Sequence, residues 1–94
     1  MNNINPECWD NDNVDELQKF LQNKRVNAKL INNLFINSCT DGKIQIAQWI
    51  INSFGNNYNL KYELGFKNAT KNAHDNVINY LLQVIKVSRF LFSQ

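Results

Sequence analysis

Apolar side chains recur every three or four residues along most of the chain, a spacing that is typical of amphipathic α-helices. Asn13 with Glu16 three residues later resembles a capping box, and Asn27 is a second residue of a type that caps helices. Asp41-Gly42 is expected to end a helix, because Gly reaches the left-handed conformation of a tight turn. The predicted helices cover about residues 14–21, 28–40, 43–53, 60–72 and 75–92. One Pro and three Gly leave few helix breakers, so the prediction is an all-α fold without a β-sheet.

Residues 35–51 are similar to residues 66–82, without a gap and at a constant offset of 31 positions. A fixed period of about 20 to 50 residues is the signature of stacked supersecondary units, none of which buries its apolar face alone. The stretch 14–21 fits the same pattern less well, at an offset of 30 positions. Trp49 and Tyr80 occupy equivalent positions, either as an exposed aromatic ladder or as a repeated packing contact between helices.

We therefore predict a single domain that is a short stack of about three antiparallel helix pairs. Glu16 replaces the apolar Ile46 of the next unit, as expected of a terminal unit that is polar on its outer side. The predicted units are 1–22 as a degenerate N-terminal cap, 27–54 as one repeat, and 58–94 as a second repeat with an extended apolar C-terminal helix.

The segment 38–51 resembles the central pattern of ankyrin repeats, in which small residues and a Gly turn precede an apolar outer helix. His74 stands where that family favours the His of a Gly-His pair, and Ala73 replaces the Gly. The resemblance covers about residues 7–84, in the Asn-rich style of divergent ankyrin repeats from giant DNA viruses and from AT-rich protists or bacteria. The Thr-Pro-Leu-His and Gly-Ala-Asp motifs of the family are absent. Whether its β-hairpin fingers are present therefore stays open, as does a more general array of helical hairpins.

The resemblance implies a protein–protein interaction module whose concave face is formed by exposed side chains of the inner helices. The positions that match this face are Asn33, Asn37, Asp41, Lys67, Asn68 and Lys71. By the same resemblance, the partner is expected to be a host protein, with the chain acting as an adaptor or inhibitor in the host cytoplasm.

Composition and motifs give no indication of catalysis, of a cofactor or of a metal site. The single histidine, His74, has only Asp75 near it in sequence, so we interpret it as a turn residue at a helix start. Cys39 takes a position normally filled by a small residue and is interpreted as a packed thiol. A net charge of +2 makes a weak case for nucleic acid or for an anionic membrane. The chain has no run of about 18 apolar residues and no signal peptide, which predicts an intracellular protein.

Charge and apolar content are uneven along the chain, and both leave alternatives open. The acidic residues of the first unit are Glu7, Asp10, Asp12, Asp15 and Glu16, and the basic residues of the last units are Lys61, Lys67, Lys71, Lys86 and Arg89. This asymmetry would steer an acidic partner to the C-terminal half or drive head-to-tail association. The alternative is that the charges only keep the helix faces hydrated and complement the helix dipoles. A nucleic-acid binder is the least favoured alternative, because the cations are separated.

The segment 81–92 is apolar on nearly all sides of its predicted helix, and such a helix needs cover. It either folds back on the last unit or docks on another protein or on a second copy. The self-association candidates are Val87, Phe90, Leu91 and Phe92. A self-assembling structural protein is accordingly the main alternative to a binding module.

Overall fold

The computed structural model describes the backbone of residues 12–22 and 24–92, and the side chains of that part up to Ile85. Within it the chain forms five α-helices and no strand, so the predicted all-α class is confirmed. The helices are α1 (Val14–Gln22), α2 (Ala28–Asp41), α3 (Ile44–Phe54), α4 (Tyr62–Lys71) and α5 (Asp75–Phe92). Each boundary lies within two residues of the position that the apolar pattern predicts.

The helices form two layers. The inner layer consists of α2 and α4, which lie side by side, while α3 packs between α1 and α5 in an outer layer. A turn of two residues joins α2 to α3 and a turn of three joins α4 to α5, so each of these pairs runs antiparallel. The result is the predicted short stack of helix pairs. Of the predicted cap unit the described part contains α1, and residues 1–11 lie outside it.

Asparagine side chains begin the first two helices, as their spacing predicts. The Oδ1 atom of Asn13 accepts a hydrogen bond from the N–H of Glu16 at 3.2 Å, and that of Asn27 accepts from the N–H of Leu30 at 2.8 Å. Each cap satisfies one of the backbone N–H groups that a helix N-terminus leaves without an intrahelical partner.

The turns that end α2 and α4 have the same backbone geometry 31 residues apart. Gly42 has a φ of 74°, and the N–H that follows it donates to the carbonyl of Ser38 at 2.8 Å. Ala73 has a φ of 59°, and the N–H that follows it donates to the carbonyl of Ala69 at 3.0 Å. A left-handed residue followed by such a backward hydrogen bond is the usual way to end a helix.

A third left-handed residue, Asp12, lies 30 positions before Gly42 and has a φ of 52°. Its carboxylate accepts hydrogen bonds from the N–H groups of Gln45 at 2.8 Å and of Ile46 at 2.9 Å, in the first turn of α3. Lys43, the residue that precedes α3, makes no side-chain cap, so the carboxylate from the preceding unit takes over that role. Left-handed turns therefore recur at the interval of the sequence repeat.

The core is built from equivalent positions of the two copies. The pairs Ser38 and Ala69, Ile46 and Val77, and Ile50 and Leu81 are all fully buried. Each pair is separated by 31 residues, so the same positions bury their side chains in successive helix pairs. Ile44 and Ile51, which the pattern also predicts to point inward, are only partly buried.

The two inner helices approach most closely at Gly65. A Cβ atom at this position would lie 2.9 Å from the Sγ atom of Cys39 and 2.9 Å from Cε2 of Phe35. Both of these side chains are fully buried, and the Phe35 ring also meets that of Tyr62 edge-on at 5.5 Å. The absence of a side chain at Gly65 is therefore what lets α4 pack against α2 at this distance.

Asn32 attaches the loop before α4 to the inner layer. Its Nδ2 group donates to the carbonyls of Asn59 at 3.1 Å and of Ala28 at 3.2 Å, and its Oδ1 atom accepts from the N–H of Lys61 at 2.9 Å. The side chain is only 8% exposed, and a buried amide needs such partners to offset its lost hydration. One buried polar side chain thus holds this loop against α2.

The Cys39 thiol is predicted to stay protonated and unreactive in the folded chain. Burial raises its pKa from 9.0 to about 12, although a hydrogen bond with Ser38 acts in the opposite direction. In a Cys8→Ser background, Cys39 should react with dithionitrobenzoate only as fast as the chain unfolds. Full reaction within the mixing time under native conditions would contradict this placement.

The same shift predicts a loss of stability at alkaline pH. The thiol of the unfolded chain ionises from pH 9.0 upward, whereas the folded thiol keeps its proton up to about pH 12. Rising pH within this window therefore favours unfolding. Burial also raises the pKa of Tyr62 and of Tyr80, which adds to the effect. Urea titrations at several alkaline pH values should show a shallower pH dependence for Cys39→Ala than for the parent chain.

Candidate functional site

The two inner helices expose equivalent faces on the side away from the outer layer. Asn33 and Asn37 are exposed on α2, and they correspond through the 31-residue repeat to Leu64 and Asn68 on α4. Because residues three and four apart share a helix face, the exposed Lys67 and Lys71 lie on this face as well. We name the surface the inner-helix face. It consists of Asn33, Asn37, Leu64, Lys67, Asn68 and Lys71.

Asn68 lies at the seam between α2 and α4 and is only partly exposed. Its Nδ2 group donates to Oγ1 of Thr40 at 3.1 Å, and the Nδ2 group of Asn72 donates to the backbone carbonyl of Thr40 at 3.0 Å. These bonds hold the C-terminal ends of the inner helices together. Asn68, one of the predicted partner-binding residues, therefore helps to hold the α2 and α4 parts of the face together.

Asp41 lies at the margin of this face. It is exposed and corresponds to Asn72, whose side chain turns from α4 back toward α2. The equivalent direction from α2 points to the side away from α4. Asn33, Asn37 and Asp41 are spaced four residues apart and lie along one side of α2, while Lys67 and Lys71 lie on α4, across the seam at Asn68.

Leu64 is the residue of this face that the sequence prediction does not include. It is 41% exposed, which is unusual for a large apolar side chain in the described part of the chain. Lys67 and Lys71 follow it on the same helix and form no ion pair with any described residue. The face thus combines amides, two available cations and one apolar contact. The 31-residue offset from Asn33 is the signal that would have found Leu64.

A cleft opens beside the inner-helix face, between α1 and the start of α2. It has a volume of about 380 Å³ and is lined by Phe20, Lys24, Arg25, Asn27, Lys29, Leu30 and Asn33. The Nζ atom of Lys24 lies 5.0 Å from the centre of the Phe20 ring, a cation–π distance. Asn33 borders both the cleft and the inner-helix face, so the two surfaces are continuous.

The repeated aromatic residues make packing contacts. The rings of Trp49 and Phe54 meet edge-on at 5.5 Å, and Phe54 also contacts Tyr58 with ring centres 6.1 Å apart. Burial is the larger of two causes that raise the pKa of Tyr62, and the charge of the neighbouring Tyr80 is the second. Both Trp49 and Tyr80 are half-buried, which favours the packing interpretation over an exposed aromatic ladder.

His74 packs over the turn at Gly42. A Cβ atom on Gly42 would lie 2.6 Å from Nδ1 of the imidazole. Among the described side chains, no three His, Cys, Asp or Glu residues lie close enough together to hold a metal ion. In that same part of the chain, no helix combines the length and apolar content needed to cross a membrane.

The self-association candidates lie in the last turns of α5, and their side chains are outside the described residues. These candidates are Val87, Phe90, Leu91 and Phe92. Comparison of the chain with protein-family models, with curated proteins and with solved structures gave no significant match.

Proposed function

We propose that the chain is a small, non-catalytic protein–protein recognition module that binds its partner through the inner-helix face. The observation that carries this proposal is the side-by-side placement of α2 and α4, which turns two short stripes of side chains into one surface. Stacked helix pairs characteristically use such a surface for binding. The recurring left-handed turns at Asp12, Gly42 and Ala73 support a divergent ankyrin-like repeat as the underlying unit.

The chemistry of the face suggests the kind of partner that it binds. Asn33 and Asn37 offer amides that both donate and accept hydrogen bonds, while Lys67 and Lys71 carry positive charge. Leu64 adds an exposed apolar side chain on α4. A partner segment with carboxylates, backbone polar groups and an aliphatic side chain complements all three.

Selection from a displayed peptide library, followed by calorimetry, tests this proposal. The double variant Asn37→Arg with Lys67→Glu should raise the dissociation constant of the selected ligand at least about 30-fold, as expected when central contacts of an interface are replaced. Both positions are exposed, so the melting temperature should stay unchanged.

A matched control places the same two chemical changes on the outer layer, in Asn52→Arg with Lys19→Glu. Both of these positions are exposed, on α3 and α1 respectively. The control should bind the selected ligand within about twofold of the parent chain. If the control and the inner-face variant lose equal affinity, or if neither does, the inner-helix face is not the binding surface.

A further inference from the structure

We propose that the cleft between α1 and α2 receives an acidic side chain of the partner protein. This inference rests on the proposed function, since it names the chemistry of the partner next to the inner-helix face. We call the basic residues that line the cleft its rim, and Phe20 with Leu30 its floor; no carboxylate from the described part of the chain lines it.

The rim consists of three basic residues, Lys24, Arg25 and Lys29. Arg25 and Lys29 are exposed, whereas Lys24 is half-buried because it lies over the Phe20 ring at 5.0 Å. The ring holds the Lys24 ammonium group in place, so a carboxylate would meet a cation that is already positioned. An anion between the three groups would also relieve the repulsion among them.

The floor selects for an apolar group next to the carboxylate. Phe20 and Leu30 pack against the core from one side and face the cleft from the other. A volume of about 380 Å³ lies at the low end of the range for small-ligand sites, which suits one or two side chains. An acidic residue followed by an aromatic or aliphatic residue fits both the rim and the floor.

The distribution of charge around the cleft favours a protein over a nucleic acid. Asp15 and Glu16 lie on α1, and Asp41 lies at the far end of α2. On the described helices these carboxylates alternate in sequence with the basic residues, whereas a phosphate backbone requires a continuous basic track. A single partner carboxylate needs only the local cluster at the cleft.

Nuclear magnetic resonance titration of the full-length, ¹⁵N-labelled chain tests the proposal. The probe is a capped tripeptide with phenylalanine between two glutamates, and the matched probe has two glutamines instead. The acidic peptide should shift the amide resonances of residues 24–33, with a dissociation constant at least about threefold below that of the neutral peptide. Equal binding of the two peptides would overturn the assignment of an acidic ligand.

Two charge-reversed variants locate the site. Arg25→Glu should raise the dissociation constant of the acidic peptide about tenfold at low salt, whereas Lys61→Glu should change it by less than about twofold. Lys61 is exposed and outside the cleft, so its variant makes the same change in net charge elsewhere. Equal effects of the two variants would show that only overall charge matters, and the cleft would be rejected.

Two further titrations distinguish this proposal from nucleic-acid binding and from binding through the inner-helix face. A single-stranded decanucleotide that shifts the same resonances at lower concentration than the peptide, with steep salt dependence, would overturn the proposal in favour of nucleic acid. The inner-face variant Asn37→Arg with Lys67→Glu should still bind the acidic peptide. If it does, and if the inner-face changes leave the affinity of the library-selected ligands unchanged, the cleft is supported and the inner-helix face is rejected as the binding surface. If Arg25→Glu leaves the affinity for the acidic peptide unchanged while the inner-face variant loses the selected ligands, the cleft is rejected and the proposed function is retained.

Discussion

Gly65→Ala should lower the free energy of unfolding by about 1–3 kcal/mol, the range for overpacking a filled core. In an exposed helix the same change stabilises by about 1 kcal/mol, because alanine is the better helix former. The sign of the effect therefore reports whether α2 and α4 approach as closely as the structure indicates.

The expected cost follows from what the new methyl group meets. It would lie 2.9 Å from the sulfur of Cys39 and 2.9 Å from a ring carbon of Phe35, both below normal contact distance. Neither neighbour is the free end of an exposed side chain, since both are fully buried. Relief would have to come from a shift of α4 away from α2, and that shift would stretch the Asn68 and Asn72 bonds to Thr40.

Urea denaturation of the single and double variants measures the effect. In a Cys39→Ala background part of the space for the methyl group is already present, so Gly65→Ala should cost less than in the parent chain. The coupling between the two changes is expected to be about 0.5–2 kcal/mol. Thr70→Ala, an exposed change on the same helix, serves as the control for helix propensity. A stabilised Gly65→Ala variant, or zero coupling to Cys39, would contradict the close approach.

The sequence predicts the local features of this fold well, because they depend on nearby residues. The capping asparagines at positions 13 and 27 and the left-handed Gly42 act within four residues of themselves. Helix periodicity likewise locates the buried positions, since three- and four-residue spacing is a property of a single helix. The repeat then extends the same features from one copy to the next.

Long-range contacts are what the sequence does not predict. Asn32 bonds to the N–H of Lys61, 29 residues away, but it is one asparagine in a chain where about one residue in five is asparagine. Gly65 has the same appearance in sequence as any glycine that a helix tolerates. The distance between two helix axes decides the roles of both residues, and no pattern within one helix encodes that distance.

The same difference between local and long-range features applies to the two candidate surfaces. The ankyrin resemblance grouped Asn33, Asn37, Lys67 and Lys71 on one predicted face, whereas helical spacing relates only residues of the same helix. The cleft joins residues from α1, from the following loop and from α2, and it forms only through the angle at which that loop folds. The basic residues at positions 24, 25 and 29 are close in sequence, but their shared apolar floor of Phe20 and Leu30 is visible only in the folded chain.

Exchanging the residue types at the two equivalent turns should move stability in opposite directions. Ala73→Gly should stabilise the fold by about 0.5–1 kcal/mol, because a left-handed φ of 59° costs an alanine about 1–2 kcal/mol and the greater freedom of glycine in the unfolded chain offsets part of that gain. Gly42→Ala should destabilise by about 2–3 kcal/mol, since it adds the same backbone strain and a collision with the His74 ring.

Chemical denaturation of the two variants, with His74→Ala as a background for Gly42→Ala, separates the two causes. Without the imidazole, the methyl group on residue 42 no longer meets a ring atom at 2.6 Å, and only the cost of the left-handed backbone should remain. That residual, about 0.5–1 kcal/mol after the same unfolded-state offset, should equal in size the stabilisation expected for Ala73→Gly. A loss of stability in Ala73→Gly would instead mean that the two turns differ in backbone conformation, and the structural equivalence of the repeats would then end at the core positions.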